Sequence, residues 1–217
     1  MRSMTDRWVS DARAALPGAD RAALTAVGDD LVARWTEPHR RYHDLTHLQE
    51  VLRAVGTLGP AVGAAGDERS VAVLAAWFHD AVYRTREPEY NERDSAALAV
   101  EQLTDLGADP GLVDRVGQAV LDTREHEVGE DDSPARVVLH DADLWVLAAP
   151  TDRFDAYCTQ VRDEYAHVSG PAYVRGRTAV LRGFLQRPHV YASSHARTRW
   201  EASARENLAR EISRLAA

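Results

Sequence analysis

The stretch that most constrains the fold is residues 75–83, with the letters AAWFHDAVY. At helical spacing its residues are apolar on nearly every side, and a helix of that kind is normally buried. Other elements must therefore surround it. Its adjacent imidazole and carboxylate, His79 and Asp80, are costly to bury unless other groups pair with them. The stretch thus predicts a central helix whose polar partners come from elsewhere in the chain.

Helical periodicity extends over nearly the whole chain, without a convincing strand-like alternation. A chain of 217 residues is long enough for one substantial core and only marginally long enough for two. The sequence therefore predicts one all-α domain over residues 1–217. The predicted helices are Thr5 to Leu16, Asp20 to Trp35, one from Asp44 to about Pro60, Asp67 to Tyr83, Asn91 to Leu106, Pro110 to Glu125, Pro134 to about Pro150, one around Phe154 to Tyr165, Tyr173 to Leu185, and Glu201 to Leu215.

Composition and charge exclude several classes of function. The formal net charge of -8 argues against a surface that coats nucleic acid, because phosphate backbones recruit basic faces. A small phosphorylated substrate needs only local arginines and stays compatible with that charge. No apolar run approaches the roughly 20 residues that span a bilayer, and the first residues lack the apolar core of a secretion signal. We therefore expect a cytoplasmic protein that does not contact membranes.

A single cysteine, Cys158, excludes an internal disulfide and a cysteine-based zinc site. Any metal site must then use histidine and carboxylate ligands. Two histidines, His43 and His47, are four residues apart and share a face if both are helical. Asp44 is of the residue type that caps helices, which would place His43 just before the first turn and His47 one turn along.

The remaining candidate ligands lie on two later helices. His79 and Asp80 are adjacent, so on a helix they diverge by about 100° and share an ion only if it lies across the helix surface between them. Asp141 and Asp143 point in different directions, and we expect only one of them to be a ligand. A mixed set of imidazoles and carboxylates suits a divalent ion: Mn, Fe, Co, Ni, Zn or Mg.

A His on one helix, a His-Asp dyad on a later one and an Asp near the far end of the domain resemble the pattern of the HD superfamily of metal-dependent phosphohydrolases. The resemblance implies an HD-fold helical bundle. The phrase DADL at residues 141–144 is similar to the Ala-Asp-Arg-Leu phrase common in that superfamily. The metal ligands that the resemblance implies are His47, His79, Asp80 and Asp143.

The segment YHDLTH at residues 42–47 resembles the Tyr-His-Asn-x-x-His segment of the cyclic-nucleotide phosphodiesterases in the same superfamily. In those enzymes the first histidine donates a proton to the leaving oxygen and the second binds metal. The resemblance therefore implies a catalytic role for His43. The sequence departs from that segment at Asp44, where those enzymes have asparagine.

Longer phrases are similar to an uncharacterised bacterial branch, whose members are usually labelled predicted HD-superfamily metal-dependent phosphohydrolases. The resemblance covers roughly residues 30–215, which would be the core of the HD-type domain. The phrases are WFHDAVY at 77–83, NE at 91–92 with SA at 95–96, DADL at 141–144, VRDEY at 161–165 and ARENL at 204–208.

Further polar residues are candidates for the chemistry around the metal. Asp141 is a candidate general base or a support for the ligands, and Glu92 is a candidate to orient the attacking water. His126 ends its predicted helix and is a candidate to contact a phosphate or a second metal ion. Four arginines are candidate phosphate clamps, because the guanidinium fork matches phosphate oxygens. They are Arg84, Arg124, Arg177 and, ranked first because Tyr165 lies one turn further on its face, Arg162.

The resemblance implies hydrolysis of a phosphoester or phosphoanhydride by hydroxide bound to the metal. The expected substrate is a nucleotide or another small phosphorylated metabolite, by family analogy rather than by any base-reading motif. Two alternatives stay open: a di-iron oxygenase on the same fold, and a non-catalytic helical module that binds a nucleotide or a metal. The sequence leaves the physiological metal and any homo-oligomer undetermined.

Overall fold

Ten α-helices and two short 3-10 turns carry the chain between residues 3 and 217, the part that the computed structural model describes. No strand occurs within these residues, which confirms the predicted all-α fold. Met1 and Arg2, where the predicted domain begins, lie outside the described residues. The helices are α1 (Met4–Ala15), α2 (Arg21–Trp35), α3 (Leu45–Ala61), α4 (Asp67–Phe78), α5 (Asn91–Asp105), α6 (Pro110–Asp122), α7 (Pro134–Asp143), α8 (Thr151–Glu164), α9 (Gly170–Gln186) and α10 (Ser194–Leu215).

Helix α4 lies at the centre of the fold, as its apolar sequence predicts. It packs against α1, α3, α5, α6 and α7. Trp77 and Phe78 at its end are fully buried, and each meets the ring of Trp8 from α1 edge to face, with ring centres 5.6 Å apart. One continuous apolar core extends from Trp8 to Leu208, so the chain forms a single domain.

The central helix is shorter than predicted. It ends at Phe78 rather than Tyr83, and His79 is its C-cap. Arg40 supplies the physical reason, because its buried guanidinium donates hydrogen bonds of 2.8 and 3.1 Å to the carbonyl oxygens of Asp80 and the next residue. The carbonyls of Asp80 and Ala81, beyond the end of the helix, therefore have hydrogen-bond partners without a further helical turn.

Two other helix boundaries differ from the prediction by more than three residues. Helix α10 begins seven residues before Glu201, because the Ser193 hydroxyl caps it by accepting a hydrogen bond of 3.1 Å from the Ala196 amide. Helix α7 ends at Asp143 instead of near Pro150, and the chain continues as the 3-10 turn Leu144–Ala148. The predicted N-cap Asp44 is confirmed, since its carboxylate accepts from the first amides of α3.

The last three helices, α8 to α10, lie on the side of the molecule where the candidate site is found. Helices α8 and α10 pack on the 3-10 turn that follows α7, and α9 packs mainly on α10. A cavity remains between α8, α9 and the ends of α4 and α7. None of the helices between residues 3 and 217 combines the length and the apolar character that a membrane crossing requires.

The contact between α1 and α2 depends on a glycine. A Cβ added at Gly28 would lie 2.6 Å from Cδ1 of Trp8, whose ring is fully buried and whose indole nitrogen donates to the Leu24 carbonyl. We expect Gly28→Ala to lower the free energy of unfolding by about 1–3 kcal/mol through overpacking. Urea denaturation measures the change.

Gly56→Ala is the matched control, because Gly56 is exposed on α3 and nothing lies within 4 Å of its added Cβ. That substitution should raise the free energy of unfolding by up to about 1 kcal/mol, since alanine favours the helix. Equal stabilisation by both substitutions would contradict the packing argument.

Candidate metal centre

Two imidazoles from different helices meet at the centre of the candidate site. His47 lies in the first turn of α3 and His79 caps the end of α4. Their Nε2 atoms are 3.1 Å apart, and both side chains are buried. Two ligands of one ion at bonds of about 2.1 Å lie about 3.0–3.4 Å from each other, so this spacing suits a shared cation.

Carboxylates complete the cluster. The ligand atoms of His47, His79 and Asp80 all lie within 4.8 Å of one another, and Asp80 Oδ2 is 3.3 Å from His79 Nε2. Asp143, at the end of α7, brings Oδ1 to 3.2 Å from His47 Nε2 and 3.5 Å from His79 Nε2. The buried group formed by the two histidines and Asp80 can therefore bind a metal ion.

The ring of His79 is held in one orientation. Its Nδ1 atom lies 2.8 Å from the carbonyl oxygen of Ala76. A carbonyl only accepts hydrogen bonds, so Nδ1 carries the proton and the lone pair of Nε2 faces the cluster. This arrangement is the usual support of a metal-binding histidine.

The two imidazoles and the two carboxylates of this cluster lie close together and are shielded from solvent, so their charges interact strongly. Burial raises the pKa of Asp80 and of Asp143, but His79 and His47 outweigh that effect and hold the pKa of both carboxyls below the usual range. Burial lowers the pKa of His47, but Asp143 and Asp80 raise it to about 9. The two carboxylates thus create a strongly cation-favouring environment.

A second polar unit adjoins the cluster and includes His43. The Nδ1 atom of His43 lies 2.7 Å from Glu164 Oε2, and the same oxygen accepts a hydrogen bond of 3.0 Å from the Tyr83 hydroxyl. The rings of His43 and Tyr83 stack with centres 4.1 Å apart. The centre of the His43 ring is 5.7 Å from that of His47, so His43 lies beside the candidate ligands. Among residues 3–217 its ring is hydrogen-bonded through Nδ1 and not through Nε2.

Glu164 also fixes the backbone before α3. Its Oε1 atom accepts hydrogen bonds of 2.8 to 2.9 Å from the amides of Arg41, Tyr42 and His43. Burial raises the pKa of Glu164, but the His43 hydrogen bond and the backbone amides outweigh it and lower the pKa to about 2. The carboxylate is therefore ionised. It joins the end of α8 to the backbone that leads into α3, the helix of His47.

Sequence reasoning did not single out Glu164 or Arg40. A signal for Glu164 exists, because it follows Tyr157 and Val161 at helical spacing on a buried face of α8. A carboxylate on such a face needs partners. For Arg40 the sequence gives no comparable signal, since it lies in a non-helical connection among other polar residues.

A cavity of about 740 Å³ opens onto the cluster. Its polar end exposes His43, Asp80, Asp143, Glu92 and His126, which the sequence predicted for one site and the structure brings together. Burial, followed by the negative charge of Asp80, raises the pKa of the half-buried Glu92. The rest of the wall is mostly apolar and aromatic.

His126 is held in a conformation that is uncommon for its residue type, with φ at 50°. Its carbonyl oxygen accepts hydrogen bonds from Arg187 at 2.6 Å and from His140 at 3.2 Å, which secures this backbone. The Nε2 atom lies 3.6 Å from Asp143 Oδ2, and burial lowers the pKa of the ring to about 4. A neutral imidazole therefore borders the cluster.

Asp141 does not reach the cavity, which corrects its prediction as a general base. It is fully buried, and its oxygens accept hydrogen bonds from the Ala192 amide at 2.6 Å and from the Ser193 amide at 2.9 Å. The Ser193 hydroxyl also donates to it. Asp141 therefore anchors the start of α10 to α7, while Asp143 turns toward the cluster.

The arginine predictions separate in the structure. The prediction that Arg162 clamps a phosphate is corrected. Its guanidinium donates to the carbonyls of Tyr165 and Val168, and the residue is not among those that line the cavity. Arg84 pairs with Asp94 instead of facing the cluster. Arg124 and Arg177 do line the cavity.

Comparisons of the chain with family models, curated proteins and solved structures returned no match. The resemblance to the HD superfamily therefore stays a prediction from the sequence. The distances between the candidate ligands are observed within this chain and do not depend on that resemblance.

The cluster predicts metal-dependent thermal stability. After chelation, saturating Mn²⁺, Co²⁺ or Zn²⁺ should raise the Tm by about 5 °C or more, because an ion that binds only the folded state stabilises it. Asp80→Asn should abolish most of this shift. Asp131→Asn, in an exposed acidic loop, is the control that keeps it. An equal shift in the Asp80→Asn protein would contradict the proposed ligand set.

The low pKa of Glu164 predicts pH-dependent stability. A lowered folded-state pKa stabilises the fold fully above the ordinary value of 4.5, and the stabilisation is lost as the pH falls toward about 2. Glu164→Gln should therefore cost up to about 3 kcal/mol at pH 7 and progressively less below pH 4.5. Urea denaturation between pH 7 and pH 3 measures the difference.

Glu206→Gln, on the exposed face of α10, is the matched control and should change the free energy of unfolding little. A cost of Glu164→Gln that stays constant from pH 7 to pH 3 would show that its charge does not stabilise the fold.

Proposed function

We propose that the protein is a metal-dependent phosphohydrolase that acts on a phosphoester or phosphoanhydride of a small metabolite. One observation carries the proposal: His47, His79, Asp80 and Asp143 converge, and the two carboxylates line a cavity that also exposes the imidazole of His43. Hydrolysis of a phosphate ester needs a charge-neutralising centre, a water and a proton donor, and this end of the cavity offers groups for each.

The donor set fits a divalent cation. His47, His79, Asp80 and Asp143 are the residues that would hold it, and a mixed imidazole and carboxylate set is compatible with Mn, Fe, Co, Ni, Zn or Mg. When bound, such a cation lowers the pKa of a water and polarises a phosphoryl oxygen. The orientation of His79 by Ala76 supports this role, because it aims a lone pair at the cluster.

His43 would protonate the leaving oxygen. Glu164 holds its Nδ1 atom, so Nε2 is the nitrogen that remains to transfer a proton in the cavity. A carboxylate that orients a histidine in this way is a recurring device of hydrolytic sites. The stacking of Tyr83 on the ring limits its rotation and supports a fixed direction for the proton.

Two further groups would act on the water and the phosphate. Glu92 borders the cavity with a raised pKa, which makes its carboxylate a stronger base than an exposed glutamate. We assign it the orientation of the attacking water. His126 would contact the phosphate, or hold a second ion together with Asp143, whose Oδ2 atom is 3.6 Å from its Nε2.

The substrate class follows from the size and charge of the site. The cavity of about 740 Å³ is of the size that takes a small organic molecule. The net charge of -8 remains unfavourable for a polyanionic partner such as DNA. A nucleotide or another small phosphorylated metabolite is therefore the proposed substrate.

The test is a phosphatase, phosphodiesterase and pyrophosphatase screen over nucleotides and sugar phosphates with Mn²⁺, Co²⁺, Ni²⁺ or Mg²⁺. We expect phosphate release that depends on the metal, and a loss of kcat/KM of at least about 100-fold in Asp80→Asn. His43→Gln should lower kcat by about 100- to 10,000-fold, because it removes the proton donor. Its metal-induced Tm shift should persist, which separates the proton donor from the ligands.

Two outcomes would overturn the proposal. Binding of two irons per chain with oxygen-dependent turnover would indicate a di-iron oxygenase on the same residues. Metal binding without hydrolysis across the whole panel would indicate a non-catalytic module. Asp131→Asn serves again as the control and should hydrolyse at the rate of the unmodified protein.

A further inference from the structure

Arg177 on α9 lines the cavity with a cation that the protein itself does not pair. Its Nε and Nη2 atoms are out of contact with solvent and have no hydrogen-bond partner among residues 3–217. An ionised group buried in this way is costly unless something else completes its hydrogen bonds. The side chain lines the same cavity as Asp80 and Asp143, so a rotation of the side chain brings its donors to a molecule in the cavity.

The two unpaired atoms form one side of the guanidinium. Nε and Nη2 together present two parallel N–H donors, the fork that matches the two oxygens of a carboxylate or phosphate. The protein holds the group in place by stacking, because the guanidinium carbon lies 4.9 Å from the ring centre of Tyr157. The contact with Tyr157 holds the guanidinium at the wall of the cavity.

A second unpaired donor lies in the same part of the cavity. The hydroxyl of Tyr173, one helical turn before Arg177, is buried and has no hydrogen-bond partner in the described chain. The ring of Tyr173 is contacted by Arg162, whose guanidinium carbon is 4.6 Å from the ring centre. Arg162, which the sequence predicted as a phosphate clamp, thus supports the wall of the pocket instead.

Arg177 is set apart from the candidate metal ligands. It forms no ion pair with Asp80 or Asp143 within the described residues. The contacts that connect it to His47 pass through two tyrosine rings: Tyr157 lies 4.5 Å from Tyr42, and Tyr42 lies 4.7 Å from His47. Two aromatic rings thus lie between Arg177 and His47 in this series of contacts.

The wall shared by the two ends of the cavity is apolar. It is built from side chains of the turn after α7, of α8, of the connection between α8 and α9, and of α9, which offer no hydrogen bonds to a ligand. They include Val146, Leu147, Val161, Val168, Val180 and Phe184. A ligand that lies along this wall gains by burying apolar or aromatic surface.

We propose that Arg177 is the binding site for a second anionic group of the substrate, a carboxylate or a phosphate, at the opposite end of an apolar body from the phosphate that is hydrolysed. The Tyr173 hydroxyl is the additional donor to this group. The proposal rests on the proposed function only for the fate of the first phosphate. It narrows the substrate to elongated molecules with an anion at each end.

The test uses three series of unbranched probes of two to eight methylenes: n-alkyl phosphates, ω-carboxyalkyl phosphates and α,ω-alkanediol bisphosphates. Dissociation constants are measured calorimetrically for each chain length with Mn²⁺ present. For the unmodified protein, we expect one chain length at which a doubly anionic probe binds at least about ten-fold more tightly than its n-alkyl counterpart. Comparison of the last two series identifies the preferred anion.

Arg177→Met should remove this preference, and Arg177→Lys should lose most of it, because lysine keeps the charge without the fork. Circular dichroism and the Tm confirm that each variant folds, and Arg177→Lys keeps the test decisive if the methionine variant does not. Arg175→Met, on the exposed side of α9, is the matched control that should retain the preference. A preference that survives in Arg177→Lys, or the lack of any preference in the unmodified protein, would show that the guanidinium only packs on Tyr157.

Hydrolysis of the same probes separates the two proposals. Preferential binding through Arg177 without phosphate release would overturn the phosphohydrolase and leave the anion site intact. Phosphate release from n-alkyl phosphates without any gain from a second anion would overturn the anion site and leave the phosphohydrolase intact.

Discussion

A single buried guanidinium, that of Arg40, connects the two chain segments that carry the candidate ligands. Its Nη1 atom donates to the carbonyls of His43 and Asp80, at 2.9 and 2.8 Å. The group stacks between Trp35 and Tyr83 and pairs with a glutamate three residues before it. A buried cation is tolerated only when its charge and its N–H donors have partners, as those of Arg40 do. The segment before α3 and the turn after α4 are thereby held at a fixed separation.

The end of α4 has a direct chemical consequence. On a continuous helix, His79 and Asp80 would diverge by about 100° and would not both reach one ion easily. In the structure, Asp80 lies just beyond the end of α4, and its Oδ2 atom is 3.3 Å from His79 Nε2. Arg40, from elsewhere in the chain, donates to the Asp80 carbonyl and so fixes the backbone of this candidate ligand.

The cavity combines two environments that differ in their energetic demands. Its polar end concentrates imidazoles and carboxylates whose burial must be offset by mutual contacts or by a cation. Its walls are apolar, and Arg177 is a cation there without a partner among the described residues. Charged groups thus lie at two separate places in the cavity. The apolar core around α4 offsets the free-energy cost of burying both.

The sequence by itself determined the all-α class, the apolar central helix, the N-cap Asp44 and the residue types of the candidate cluster. These depend on periodicity and local capping, which neighbouring residues decide. Only the tertiary structure decided that α4 ends at Phe78, that Asp141 anchors α10 while Asp143 faces the cluster, and that Glu164 orients His43. Each of these outcomes depends on a partner distant in sequence, such as the hydrogen bond between His43 and Glu164 across 121 positions, and periodicity carries no information about such partners.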